Sequence, residues 1–198
     1  MVETAFWGKA KTAARKAWHF VWEGEGWLSW VVDIVLAFVL IKFVVYPVLG
    51  LVLVTSHPIV AVVSGSMEHD GSFDSWWQSQ KELYDELNIT KEQFAEFSYK
   101  NGFNKGDLMV LYSKKNIKVG DIAVFNSDGK FDPIIHRVVA IKEKDGKKYY
   151  FTKGDHNLGT ASFEQNIPEE KVIGKAIVRA PFLGWIKIGV SCIAGGAC

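Results

Sequence analysis

Residues 30–54 read WVVDIVLAFVLIKFVVYPVLGLVLV, and this apolar run restricts the fold more than any other stretch. At about 1.5 Å per residue, a helix over it crosses a hydrocarbon core of roughly 30 Å. A cleaved leader would have an apolar core of about 7–15 residues ending in a small-x-small site, a pattern this run does not follow. Residues 28–56 are therefore read as a retained transmembrane anchor. Asp33 is near enough to one end to reach the interface, whereas Lys42 lies well inside and must snorkel or meet another membrane helix. Pro47 removes a backbone donor and is expected to kink the outer third. Lys9, Lys11, Arg15 and Lys16 put the preceding side in the cytoplasm, so the chain beyond the span faces outward. Opposite those bases, Phe6, Trp7, Trp18, Val21 and Trp22 fall at helical spacing. That stripe predicts an amphipathic helix over 1–27, lying on the cytoplasmic leaflet.

With 198 residues in all, the chain has room for one further domain of ordinary size. A net charge of +1 supplies no basic excess, which argues against nucleic-acid binding. Cys192 and Cys198 fit neither a zinc spacing nor a CxxC pair, so no metal or cofactor is expected. Residues 191–198, with Gly195 and Gly196, read as a flexible tail. Runs rich in β-branched residues at 59–63, 108–112, 122–126, 134–141, 148–152 and 172–179 are separated by Gly-Asp or Asp-Gly pairs. They predict a mainly β domain over 57–190, either a sandwich or a barrel. Asp145-Gly146 is its clearest hairpin turn.

Residues 74–101 break the β pattern. Asp74 or Ser75 is suited to cap one helix, and Thr90 with Gln93 forms a capping box for a second. The result is a small helical hairpin inserted in the β domain, either a lid or docking surface beside the preceding motif or a self-packed decoration. Near the C-terminus, residues 180–188 are expected to pack in the core rather than rest on the outer leaflet.

The chemistry-bearing residues come in three groups. Ser64-Gly65-Ser66-Met67-Glu68 follows the first strand and presents a small nucleophile shortly beyond the span. A hydroxyl is a weak nucleophile and needs a base within about 3 Å. His136, in Ile135-His136-Arg137, fits because histidine ordinarily titrates near neutral pH. Asp155, in Lys153-Gly154-Asp155, is a carboxylate able to orient it, and the chain order is then serine, base, acid.

In order, Ser64-Gly65-Ser66-Met67-Glu68, Lys105-Gly106-Asp107-Leu108, Val119-Gly120-Asp121-Ile122, Ile135-His136-Arg137-Val138 and Lys153-Gly154-Asp155-His156-Asn157 resemble the motifs of type I signal peptidases. The likeness runs from 33 to about 189, interrupted by the helical insert. A histidine in the base position is similar to the archaeal and endoplasmic-reticulum branch, since the bacterial branch has lysine there. The resemblance implies a signal-peptidase-like β domain on one N-terminal membrane helix. It also implies Ser66 as nucleophile, His136 as general base, and the Ser64 hydroxyl with the Ser66 N–H as oxyanion donors.

Three positions depart from the family pattern, one of them His156, which replaces an asparagine and is read as an exposed turn residue. Relatives follow the first aspartate with a second, usually taken as the triad acid, and here that position is Ala161. Asp155 is therefore the first choice for the acid, with Glu164 the alternative. The proline usual after Ser-Met-Glu is replaced by His69, which is expected to loosen the chain there. The resemblance implies a membrane-bound serine endopeptidase that removes signal peptides from preproteins. Its partners would be signal peptides, membrane lipids, and a secretion translocon or accessory subunits. It would sit in the cell membrane as a single-pass protein with the catalytic domain outside. The alternative is a catalytically inactive, membrane-anchored relative that binds peptides or serves as an accessory subunit.

Overall fold

The computed structural model describes residues 11, 12, 15, 19, 23, 26–130 and 132–193. The amphipathic helix expected over 1–27 falls mostly outside the described residues, and the five described within 11–23 are helical. Two compact units divide the chain between Leu49 and Gly50.

The helix α1 (Trp27–Leu53) is long and apolar enough to cross a membrane. Within it, Ile41–Val45 forms a π-helical turn, where the Tyr46 N–H reaches back to Ile41 O. Pro47 has no N–H to give the turn before it, and the widened turn falls where that donor is missing. Lys42 lies in the same turn, its ammonium 5.6 Å and 5.5 Å from the Phe38 and Phe43 ring centres.

Beyond α1 the strands are β1 (Ile59–Ala61), β2 (Leu108–Tyr112), β3 (Ile122–Phe125), β4 (Ile134–Lys144), β5 (Lys147–Lys153), β6 (Ile167–Pro168) and β7 (Val172–Ala180). They form one antiparallel sheet in the order β1-β2-β7-β3-β4-β5-β6, with β1 and β6 at its edges. The domain is mainly β, as expected, but it is a single open sheet rather than a sandwich or closed barrel. Six strands lie where β-branched runs predicted them, and the two-residue β6 is too short to leave a period. The Asp145-Gly146 turn has both residues at positive φ (53° and 70°), the type I′ geometry that matches strand twist.

Between β1 and β2 lie α2 (Phe73–Glu86) and α3 (Lys91–Ala95). Ser72, earlier than the Asp74 or Ser75 expected, caps α2 by accepting from the Ser75 N–H. The Thr90/Gln93 capping box starts α3 as predicted. The pair is no self-packed decoration: Trp76, Trp77, Tyr84, Ile89 and Phe94 share one core with Val139 of the sheet.

The helix α4 (Gly184–Ile193) follows β7. The core packing expected of 180–188 is limited to Gly184 and Ile188, while Phe182, Trp185 and Ile186 are exposed to 71%, 48% and 70%. Helix α4 also includes 191–193 of the expected flexible tail, and 194–198 lie outside the described residues. Trp185 lies over Gly106, at φ +89°, where a Cβ would collide with its indole.

Candidate active site

The loop after β1 presents Ser66 and is fastened on three sides. Ser66 O accepts from the His156 N–H at 2.9 Å and Met67 O from the Phe103 N–H at 3.0 Å. The Glu68 carboxylate accepts from the Lys105 N–H at 3.0 Å. Met67 is fully buried beneath the loop, which leaves Ser66 half-buried and Ser64 exposed. The two hydroxyl oxygens are 3.1 Å apart.

β4 carries His136. His136 Nε2 lies 3.0 Å from Ser66 Oγ, within reach for proton transfer. On the other side of the ring, Nδ1 lies 2.6 Å from Glu164 Oε1. No hydrogen bond forms at Nδ1, so the pair is a close approach whose N–H direction is turned away from the oxygen. Glu164 is 1% exposed and closes the one-turn 3-10 helix Ser162–Glu164. Its Oε1 accepts from the Gly154 N–H at 3.1 Å, and its Oε2 from the Ala161 N–H.

The carboxylate beside His136 is therefore Glu164, and the expectation of Asp155 in that place is corrected. Side chains alternate along a strand, so His136 and its neighbour Arg137 point to opposite faces of β4. Asp155 goes with Arg137. The guanidinium donates to it through Nε at 2.9 Å and NH2 at 2.7 Å, His69 Nε2 lies 2.9 Å away, and the Tyr84 hydroxyl donates at 3.0 Å. Burial opposes ionisation of Asp155, but Arg137 and His69 outweigh it and hold the carboxyl well below the usual range. Tyr84 is pushed well above its ordinary value, first by burial and then by the Asp155 charge, so it remains a phenol donor.

This second cluster escaped the sequence reading. Arg137 is fully buried, donates to Ser98 O, Gly120 O and Tyr99 O, and lies 4.6 Å from the Phe94 ring centre. His69 does not loosen the chain: it stacks on Trp76 at 3.7 Å and 5°. Trp76 in turn donates from Nε1 to Asp155 O at 3.2 Å. The available signal was the Arg137 charge inside an apolar strand, since a buried guanidinium requires a carboxylate partner.

An open groove of ≈ 290 Å³ runs past the serine, lined by Ala61, Val63, Ile135 and Phe163 with Ser66 and His136. β1 is an edge strand, so its outer backbone groups are available to an extended peptide.

No protein-family model matches the chain. It is 29% identical over 156 residues to the signal peptidase complex catalytic subunit SEC11 of Candida tropicalis, covering 75% of each. To the SEC11 subunit of Lachancea thermotolerans it is 33% identical over 153 residues, covering 72% of each. The chain belongs to the SEC11 signal peptidase family. The human member SEC11C is 32% identical over 149 residues, covering 70% of this chain and 61% of the human one. In this SEC11-family chain, Ala61 of the edge strand β1 lines the same groove as Ser66 and His136.

Proposed function

We propose that this protein is the membrane-bound catalytic subunit of a signal peptidase, a serine endopeptidase that removes signal peptides from preproteins. The observation that carries the mechanism is the proximity of Ser66 Oγ, His136 and Glu164, at 3.0 Å and 2.6 Å. Ser66 attacks the scissile carbonyl while His136 Nε2 takes its proton. His136 then returns that proton to the leaving amine, which departs with the mature protein and leaves the signal peptide esterified to Ser66. Water, deprotonated by His136, hydrolyses the ester and restores the serine. Glu164 holds the imidazole with Nδ1–H toward it and stabilises the imidazolium. The Ser64 hydroxyl and the Ser66 N–H receive the developing oxyanion. No step calls on a metal or cofactor.

The substrate lies extended along the free edge of β1, its small residues before the cleavage site fitting the shallow groove. Helix α1 anchors the enzyme in the cell membrane as a single span, with the N-terminus cytoplasmic and the sheet domain outside. The relatives are named as subunits of a complex, which supports partnership with accessory subunits. The test is preprotein cleavage by the full chain in detergent. Ser66→Ala and His136→Ala should each lose at least about 10³-fold, with no further loss in the double variant. An inactive wild type, or undiminished cleavage by Ser66→Ala, overturns the enzyme reading in favour of an inactive peptide-binding relative.

A further inference from the structure

One buried charge near the centre has no part in the chemistry above. Lys153 ends β5, pairs in register with Arg137 of β4 and is fully buried. Paired residues share a face, so two cations stand side by side on the side of the sheet that carries α2. The Lys153 ammonium donates to Gln80 Oε1 of α2 at 2.9 Å and to Gly154 O at 3.1 Å, and lies 4.9 Å from the Tyr84 ring centre. Among the described residues, no carboxylate lies within ion-pair distance of it. A buried ammonium held only by neutral acceptors is costly, and methionine would fill the same space at less cost.

Gly154 links this charge to the chemistry. Its carbonyl takes the Lys153 ammonium, while its N–H carries the same Glu164 oxygen that touches His136. A Cβ on Gly154 would stand 2.9 Å from Ser66 O, so this backbone is pressed against the nucleophile loop. We propose that Lys153 is a positioning residue for Glu164: gripped by Gln80 of α2, its ammonium fixes the Gly154 backbone whose N–H holds the carboxylate behind His136. The inference rests on the Ser66–His136–Glu164 reading, and it gives the helical segment a share in catalysis.

The charged and titratable groups around Lys153 come from every packed element. They are Arg137 on β4, Asp155 just after β5, Glu164 on its 3-10 turn, Tyr84 on α2, and His69 through Asp155. Burial pushes Lys153 down to about 8, with Arg137 adding to the fall, against the upward pull of Asp155 and Glu164. The ammonium therefore loses its charge just above neutral pH, which gives the positioning role a readout that packing alone lacks.

The experiment measures kcat and KM for preprotein cleavage by the full chain in detergent, from pH 6 to 10. Lys153→Met should lower kcat roughly tenfold at pH 7 with KM little changed, and should converge with wild type above about pH 9, where wild type is itself uncharged. Gln80→Glu places a carboxylate on the ammonium. It should keep activity at pH 7 and move the alkaline fall of kcat upward by about one unit or more. This second variant decides the matter if Lys153→Met does not fold. A constant ratio of Lys153→Met to wild type at all pH values, or an alkaline limb unmoved in Gln80→Glu, overturns the inference. Ser66→Ala and Glu164→Gln separate the two readings. If both are impaired while Lys153→Met runs parallel to wild type, the Lys153 role alone falls; if Ser66→Ala cleaves normally, the proposed function falls first.

Discussion

Replacing Asp155 by asparagine should cost stability, whereas replacing Glu164 by glutamine should cost rate. In the first case the Arg137 guanidinium, 0% exposed, loses its counter-charge. Asp155 Oδ1 receives Arg137 Nε and the Tyr84 hydroxyl, and Oδ2 receives Arg137 NH2 and faces His69. An asparagine keeps one of these oxygens and turns an NH2 group toward the donors at the other. Breaking a buried pair from one side costs about 3–5 kcal/mol. At about 2–4 °C per kcal/mol for a domain of this size, Tm should fall by about 6–20 °C. Glu164→Gln keeps one of the two oxygens that receive the Gly154 and Ala161 N–H groups and strands no buried counter-charge, so its Tm should fall by less, about 2–12 °C for one lost acceptor at about 1–3 kcal/mol, while kcat falls about 10²–10⁴-fold. The assay is thermal unfolding of the full chain in detergent by tryptophan fluorescence, paired with preprotein cleavage well below each Tm. An Asp155→Asn protein that unfolds at the wild-type temperature yet does not cleave, beside a fully active Glu164→Gln, would refute the division of labour between the carboxylates.

Lys153 is held below its unfolded value near 10.5, to about 8, so between those pH values the unfolded chain binds more protons than the folded one. Wild type should therefore gain stability relative to Lys153→Met as pH rises from about 8 toward 10.5, measured by denaturant unfolding at each pH. Phe163→Ala should widen the groove, and cleavage of preproteins with a larger residue before the scissile bond should rise relative to the natural substrate. Gly106→Ala forces a Cβ into the Trp185 indole at positive φ and should lower Tm, with a blue or red shift of tryptophan emission marking the displaced ring.

The sheet and the serine–histidine pair were legible in the sequence because strands carry a period of two and the motifs fall in order along the chain. The acid was not. Asp155 stands in the more recognisable motif, but a motif does not say which face of the sheet a side chain joins, and Arg137 on the adjacent position of β4 claims it. Glu164 is brought to His136 by a one-turn 3-10 helix, a contact between residues 136 and 164 that no local pattern announces. The importance of His69 was likewise hidden: it makes sense only once Trp76 lies flat against it. The exposed face of α4 was missed for a simpler reason, since its apolar residues look the same in sequence whether they are covered or not.

The alternation along β4 has a consequence for when this protein becomes able to cut. His136 reaches Ser66 only in the register that pairs Ala123 with His136, and a slip by one residue would turn the imidazole away and bring Arg137 in its place. Glu164 arrives only after β5 and its following turn have closed on the nucleophile loop. A nascent or misassembled chain thus holds its three reactive groups on separate pieces of backbone. Assembly of Ser66, His136 and Glu164 waits on the pairing of β3 with β4 and on the turn after β5.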